Sequence, residues 1–163
     1  MASTVTKKSP AEEESAIFAP GERAIILDKT PAGEWSFKYE INGKEVDYDT
    51  YDLELGALDE YLHNECEEVA MQEFRVPEGV LSSREHQGSV MLYNCPIGKV
   101  AVANINMGKA ERIWVYAGKD SWKKAKHWAE DFLGDLSTSD LVKSEEQREE
   151  LQEYLTGIKN LPE

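Results

Sequence analysis

The sequence predicts a single α+β domain with a mainly antiparallel sheet and helices packed on one face. Short β-rich runs recur along the chain, separated by Gly, Pro and Asn-Gly signals. The short connections between them favour antiparallel neighbours, because parallel strands need long crossovers. Two blocks of three runs are each followed by a segment with helical periodicity, and one more such segment closes the chain. The predicted order is therefore β-β-β-α-β-β-β-α-α.

The first block follows a tail, residues 1–16, which has almost no apolar content and is predicted to be disordered. Residues 23–27 and 34–41 are strand runs. In the second run Trp35, Phe37, Tyr39 and Ile41 alternate with polar residues, which is typical of a half-buried strand. The dipeptide Asn42-Gly43 then predicts a type I′ turn, so residues 44–48 are expected to return as a third strand.

A helix is predicted after this hairpin. Apolar residues recur there at helical spacing, and acidic residues occupy the other side. The recurring positions are Leu55, Leu58, Leu62, Cys66 and Val69. The run at residues 74–77, which ends in a proline, is expected to end this helix. Residues 78–88 have no period and are predicted to form a loop.

The second block contains strand runs at residues 89–93, 99–105 and 111–117. The run 99–105 is nearly apolar on both alternating faces and is the best candidate for a central strand. Asp120 is expected to cap the next helix, whose apolar positions are Trp122, Ala125, Ala129 and Phe132, and Gly134 is expected to end it.

The domain is therefore assigned to residues 17–136, and residues 137–163 are predicted to add a C-terminal helix packed on it. Ser144 and Gln147 have the spacing of a capping box at the start of that helix. An apolar stripe, which includes Leu151 and Ile158, would pack on the domain, with docking on a partner as the alternative.

Charge is the strongest global signal. The chain has 18 basic and 32 acidic residues, a net charge of −14, and residues 39–86 alone hold 14 acids and three bases. A basic footprint for nucleic acid is absent, so direct nucleic-acid binding is not expected.

The function predicted is a non-enzymatic binding protein, such as an adaptor, an inhibitor or an immunity-type protein, whose acidic face docks on a basic protein surface. The alternative is that the charge serves solubility alone. The predicted partner-binding residues are Asp47, Asp49, Asp52, Asp59, Glu60, Glu67 and Glu68.

Calcium binding is the second hypothesis. Asp47, Asp49, Asp52 and Glu54 place four carboxylates in a short stretch, and Ca²⁺ prefers such hard oxygen ligands. The stretch does not match an EF-hand loop, because its turn glycine and its final bidentate Glu are missing. A solvated acidic turn with a helix N-cap is the competing interpretation. No other cofactor is expected.

A small cysteine-dependent enzyme is the third hypothesis. Cys95 would act as the nucleophile with His86 or His127 as its base, or Cys66 would take that role. No nucleophile-elbow motif and no phosphate-binding loop occurs, so enzymatic activity is not expected. His63, Cys66 and Glu67 are acceptable metal ligands at i, i+3 and i+4, but no second spaced pair completes a site.

No apolar run approaches a membrane span, and no signal-peptide pattern begins the chain. The expectation is a cytoplasmic protein without membrane contact, with Cys66 and Cys95 as reduced, partly buried side chains. Pairing between the two cysteines is the alternative that the sequence leaves open. Lysines and tryptophans mix at residues 119–128, a pattern that nucleic-acid and membrane binders also show. The lysines are expected to form a solvated helix surface instead. The sequence leaves the oligomeric state open.

Overall fold

The structure, a computed structural model, describes residues 20–162. In that part of the chain, three strands, a helix, four strands and two helices follow one another. The elements are β1 (Gly21–Lys29), β2 (Trp35–Ile41), β3 (Lys44–Val46), α1 (Tyr48–Glu65), β4 (Glu67–Val76), β5 (His86–Cys95), β6 (Gly98–Met107), β7 (Ala110–Ala117), α2 (Ser121–Ser137) and α3 (Glu145–Lys159). The predicted tail, residues 1–16, lies outside the described residues.

The seven described strands form one sheet in the order β3-β2-β1-β7-β6-β5-β4, and every neighbouring pair is antiparallel. The β1–β7 pairing, with Arg23 opposite Ile113, joins the N-terminal hairpin to the later meander. The α+β class, the antiparallel sheet and the interior position of β6 are confirmed. The sheet has one strand more than the sequence predicted, and that strand is β4.

Residues 67–76 form a strand where the sequence predicted a helix. α1 ends at Glu65, so the predicted continuation of the helix through Val69 is wrong. Along β4, Phe74 and Val76 are buried while the residues between and before them are exposed or only partly covered. Alternation with a period of two belongs to a strand. The helical spacing of Cys66 and Val69 from Leu62 concealed this alternation in the sequence.

Helices cover both faces of the sheet, so the prediction of helices on one face is wrong. Val100 and Val102 of β6 pack in a cluster with Leu58, Tyr61 and Leu62 of α1. The alternate β6 residues Ala101, Ala103 and Ile105 pack in a larger cluster with α2 and α3, which contribute Trp122, Ala125, Leu133, Leu151 and Ile158. A strand that is apolar on both faces requires cover on both.

The Asn42-Gly43 turn and the Ser144 cap are as predicted, whereas Asp120 occupies the N-cap position of α2 without a side-chain capping hydrogen bond. Asn42 and Gly43 have φ values of 53° and 79°, as a type I′ turn requires. Ser144 caps α3 by accepting a hydrogen bond from the Gln147 amide at 3.2 Å, and Gln147 Oε1 accepts one from the Lys143 amide at 2.7 Å. α2 runs past Gly134 to Ser137, so the predicted end of this helix is wrong.

No helix among residues 20–162 is long and apolar enough to cross a membrane.

Candidate functional site

A groove of about 540 Å³ lies between α1 and the face of the sheet that α1 covers. We call it the α1 groove. Its apolar walls come from α1 and from strands β5 to β7, and they consist of Leu55, Leu58, Leu62, Met91, Val102 and Ile113. Its polar lining consists of Asp59, His63, Glu68, Tyr93 and Asn104. The groove therefore combines an apolar floor with two carboxylates, a phenol, an imidazole and an amide.

The groove exists because α1 covers only part of the sheet. The helix packs with Tyr61 and Leu62 on Val100, Val102 and Val115 of β6 and β7. On the same face of the edge strand, Met71 pairs with Met91 and remains 49% exposed. Leu55, Asp59, Leu62 and His63 follow one another at i, i+4, i+7 and i+8, so they share one side of α1. That side forms one wall of the groove.

Two polar contacts fix α1 in this position. Arg23 of β1 is 1% exposed and pairs with Glu54 of α1 at 3.3 Å between Nη2 and Oε2. Burial lowers the pKa of Arg23, and the Glu54 carboxylate opposes that shift. The Tyr51 hydroxyl donates a hydrogen bond to Glu111 Oε1 of β7 at 3.0 Å. Both contacts bind the helix to β1 and β7, away from β4 and β5, and leave the groove side open.

The groove has a negative electrostatic character. Burial raises the pKa of the Asp59 carboxyl group above its usual value. Burial also raises the pKa of Tyr93, and the negative charges of Glu68 and Asp59 raise it further. Glu68 and Asp59 therefore both act on the Tyr93 hydroxyl although they come from β4 and α1. A cation placed among these groups would relieve this mutual repulsion.

Cys66 and Cys95 form a disulfide, so the prediction of two reduced cysteines is wrong. Cys66 lies between α1 and β4 and also lines the groove, and Cys95 ends β5. Glu67 is paired with Asn94, so the two cysteines come next in register, with a Cα–Cα distance of 4.4 Å. This is the spacing of a non-hydrogen-bonded antiparallel pair, in which side chains approach most closely. The helix assigned to Cys66 in the sequence concealed this neighbour.

The predicted partner-binding residues do not form one continuous face. Asp59 and Glu68 line the groove. Asp49 and Asp52 are exposed on α1, and Asp52 precedes Asp59 by two helical turns on the same side. The remaining members lie apart: Asp47 caps α1, Glu60 borders a separate small depression and Glu67 is exposed at the start of β4.

The four predicted calcium ligands are not brought together. The Asp47 carboxylate accepts a hydrogen bond from the Thr50 amide at 2.7 Å, which lowers the pKa of Asp47. Glu54 pairs with Arg23. Within residues 20–162, no group of three or more His, Cys, Asp or Glu side chains is arranged to hold a metal ion.

The three histidines have separate surroundings. His63 lines the α1 groove, whereas His86 is buried with Nε2 at 2.8 Å from Ser82 Oγ. His127 is exposed beside Asp131, at 3.3 Å between Nε2 and Oδ2. The structure therefore pairs Cys95 with Cys66 rather than showing either cysteine next to His86 or His127.

The lysine-rich stretch is mixed in character. Lys123 and Lys124 are exposed on α2, as the sequence predicted, and Trp122 lies in the core. Lys126 is buried, with Nζ 3.2 Å from the Leu161 carbonyl oxygen and 5.7 Å from the centre of the Trp122 ring. This lysine holds the end of the chain against α2.

Sequence reasoning missed Met91, Tyr93 and Asn104 as groove residues. They fall at alternate positions on β5 and β6, facing α1. Only the assignment of a helix to that face of the sheet would have identified them.

Comparison with known proteins finds no matching family model, no matching curated protein and no matching solved structure.

Proposed function

We propose that this protein is a non-enzymatic binding protein that holds a basic segment of a partner protein in the α1 groove. The observation that supports this most is that Asp59, Glu68 and Tyr93 line one groove with apolar walls, where Glu68 lies opposite Tyr93 in the strand register. Arginine and lysine side chains have an apolar stem and a cationic head, so they match a groove with apolar walls and acidic groups.

The surrounding charge supports the same partner class. Residues 39–86 have a net charge of −11, and this segment supplies α1 and β4, which carry the acidic groups of the groove. A concentrated negative field accelerates association with basic partners and disfavours acidic ones. An adaptor or an inhibitor would use the groove in this way.

The test uses a fluorescein-labelled nine-residue peptide of alternating arginine and valine, with an alternating glutamate and valine peptide as the negative probe. Binding is measured by fluorescence anisotropy at 50 mM and 300 mM NaCl. We expect the basic peptide to bind, to weaken with salt because screening reduces charge attraction, and to shift the amide resonances of His63, Met91 and Tyr93.

Two double variants with the same change in net charge separate the groove from general acidity. Asp59→Asn with Glu68→Gln removes the groove carboxylates, whereas Glu149→Gln with Glu153→Gln removes two exposed carboxylates from α3. We expect the first pair to weaken binding at least about tenfold, since charge-assisted hydrogen bonds contribute about 1.5–3 kcal/mol each. The second pair should change it less than about twofold. An equal loss of peptide affinity in both double variants would contradict the proposal. The acidic charge would then be interpreted as serving solubility.

A further inference from the structure

Within residues 20–162, β4 is an edge strand with an open side. It stands at the end of the sheet order, and among the described residues β5 is the one strand paired with it. The backbone hydrogen bonds of the described turns and loops include none to Glu67–Val76. β4 has ten residues, whereas β3 at the opposite edge has three. A long edge strand presents a row of backbone donors and acceptors that another strand can use.

The two faces of β4 differ in chemistry. Glu68 and Met71 face α1, opposite Tyr93 and Met91, and Glu73 follows on the same face. Ala70 and Phe74 lie on the other face, and both belong to the cluster formed with α2 and α3. An added strand would therefore meet acidic groups on one face and apolar groups on the other.

Edge strands commonly avoid pairing by carrying charges and bulges, and β4 has both, with a register shift between Glu68 and Ala70. These charges act selectively, however. β4 has three glutamates against Arg75, which already pairs with Glu85 at 3.8 Å. A second copy of this strand would double the negative charge at the edge, whereas a basic strand would neutralise it.

We propose that β4 accepts an extended segment with alternating basic and apolar residues as an additional antiparallel strand, the direction of every neighbouring pair in this sheet. This inference rests on the proposed function and names the form in which the basic partner binds. Basic side chains of the segment lie on the face of α1 and reach Glu68 and Glu73 across one strand spacing, about 4.8 Å. Its backbone bonds to β4 supply affinity, and the alternating side chains supply specificity.

Selective N-methylation of the peptide tests this pairing. In an extended strand, N–H groups of alternate residues point to the same side, so methylating the arginine amides blocks one edge and methylating the valine amides blocks the other. Pairing with β4 uses one edge only. We expect one methylated set to weaken binding at least tenfold and the other to change it less than about threefold.

The outcomes separate this inference from the proposed function. If neither the parent peptide nor its methylated forms bind, both are overturned. If the parent binds and both methylated sets bind equally well, the groove takes basic side chains but β4 accepts no strand, which overturns this inference alone. A sedimentation measurement in which the free protein forms a dimer that the peptide does not displace would also overturn it, because a second copy would then cover the edge.

Discussion

At the scale of one residue, Asp59 of the α1 groove is expected to lower the stability of the fold at neutral pH. Its carboxylate lies in a groove where burial raises its pKa. A carboxyl group whose pKa is raised by folding favours the folded state when protonated, and this contribution is lost as the pH rises through the folded pKa. The ionised form at neutral pH therefore opposes folding.

Asp59→Asn should raise the Tm at pH 7 by no more than about 2 °C, because Asp59 is exposed to solvent at the mouth of the groove. The difference should vanish near pH 2.5, below the unfolded pKa of about 3.9, where both side chains are neutral. Thermal melts at the two pH values measure this. Glu60→Gln on the outer side of α1 serves as the control, and an equal rise in that variant would contradict a local cause.

The calcium hypothesis is tested at the same scale, at Asp47 and Glu54. The Asp47 carboxylate accepts a hydrogen bond from the Thr50 amide, and the Glu54 carboxylate forms an ion pair with Arg23. A ligand that binds only the folded state raises the Tm. We therefore expect 5 mM Ca²⁺ and 5 mM Mg²⁺ at equal ionic strength to give the same Tm. A larger shift with Ca²⁺ that Asp49→Asn and Asp52→Asn abolish would support a calcium site instead.

At the scale of elements, α1 depends on polar contacts as well as on its apolar row. Tyr51 is buried and donates its hydroxyl proton to Glu111. Tyr51→Phe should lower the free energy of unfolding by about 1–2 kcal/mol, since it leaves a partly buried carboxylate without this donor. Urea unfolding measures the loss. Tyr48→Phe, which alters an exposed tyrosine of the same helix, should change it by less than about 0.5 kcal/mol.

The disulfide connects the beginning of β4 to the end of β5 and closes a loop with a sequence separation of 29. Cross-linking a loop of this length stabilises a protein by about 3.5 kcal/mol, mainly by restricting the unfolded chain. Cys66→Ser with Cys95→Ser, or reduction, should lower the unfolding midpoint in urea accordingly. A midpoint that a reductant leaves unchanged in the parent protein would show that the bond contributes nothing.

For the whole molecule, the net charge of −14 acts against the compact state through self-repulsion. Raising NaCl from 20 mM to 300 mM should raise the Tm by a few degrees, because the screening length falls from about 20 Å to about 6 Å. A variant with Glu146, Glu149 and Glu153 changed to Gln should show a smaller rise. An identical rise would attribute the salt effect to something other than net charge.

Local signals gave the elements and their turns. Period-two alternation identified β2, β-rich runs identified β6 and β7, and Asn42-Gly43 placed the β2–β3 hairpin correctly. The prediction missed β4 because Leu62, Cys66 and Val69 keep helical spacing across the end of α1. The apolar pattern there fits both the helical period and the period of two. For the same reason the disulfide and the groove could not be predicted, since both require β4 to lie beside β5.

The sequence by itself determined the α+β class, the antiparallel meander, the cap at Ser144 and the acidic character of residues 39–86. Each depends on neighbours within a few positions of the chain. Tertiary structure alone decided which sheet face each helix covers, that Cys66 meets Cys95, and that Asp59, Glu68 and Tyr93 share one groove. These contacts join residues far apart in sequence, and they form only when burial of both faces of β6 fixes α1 on one side and α2 with α3 on the other.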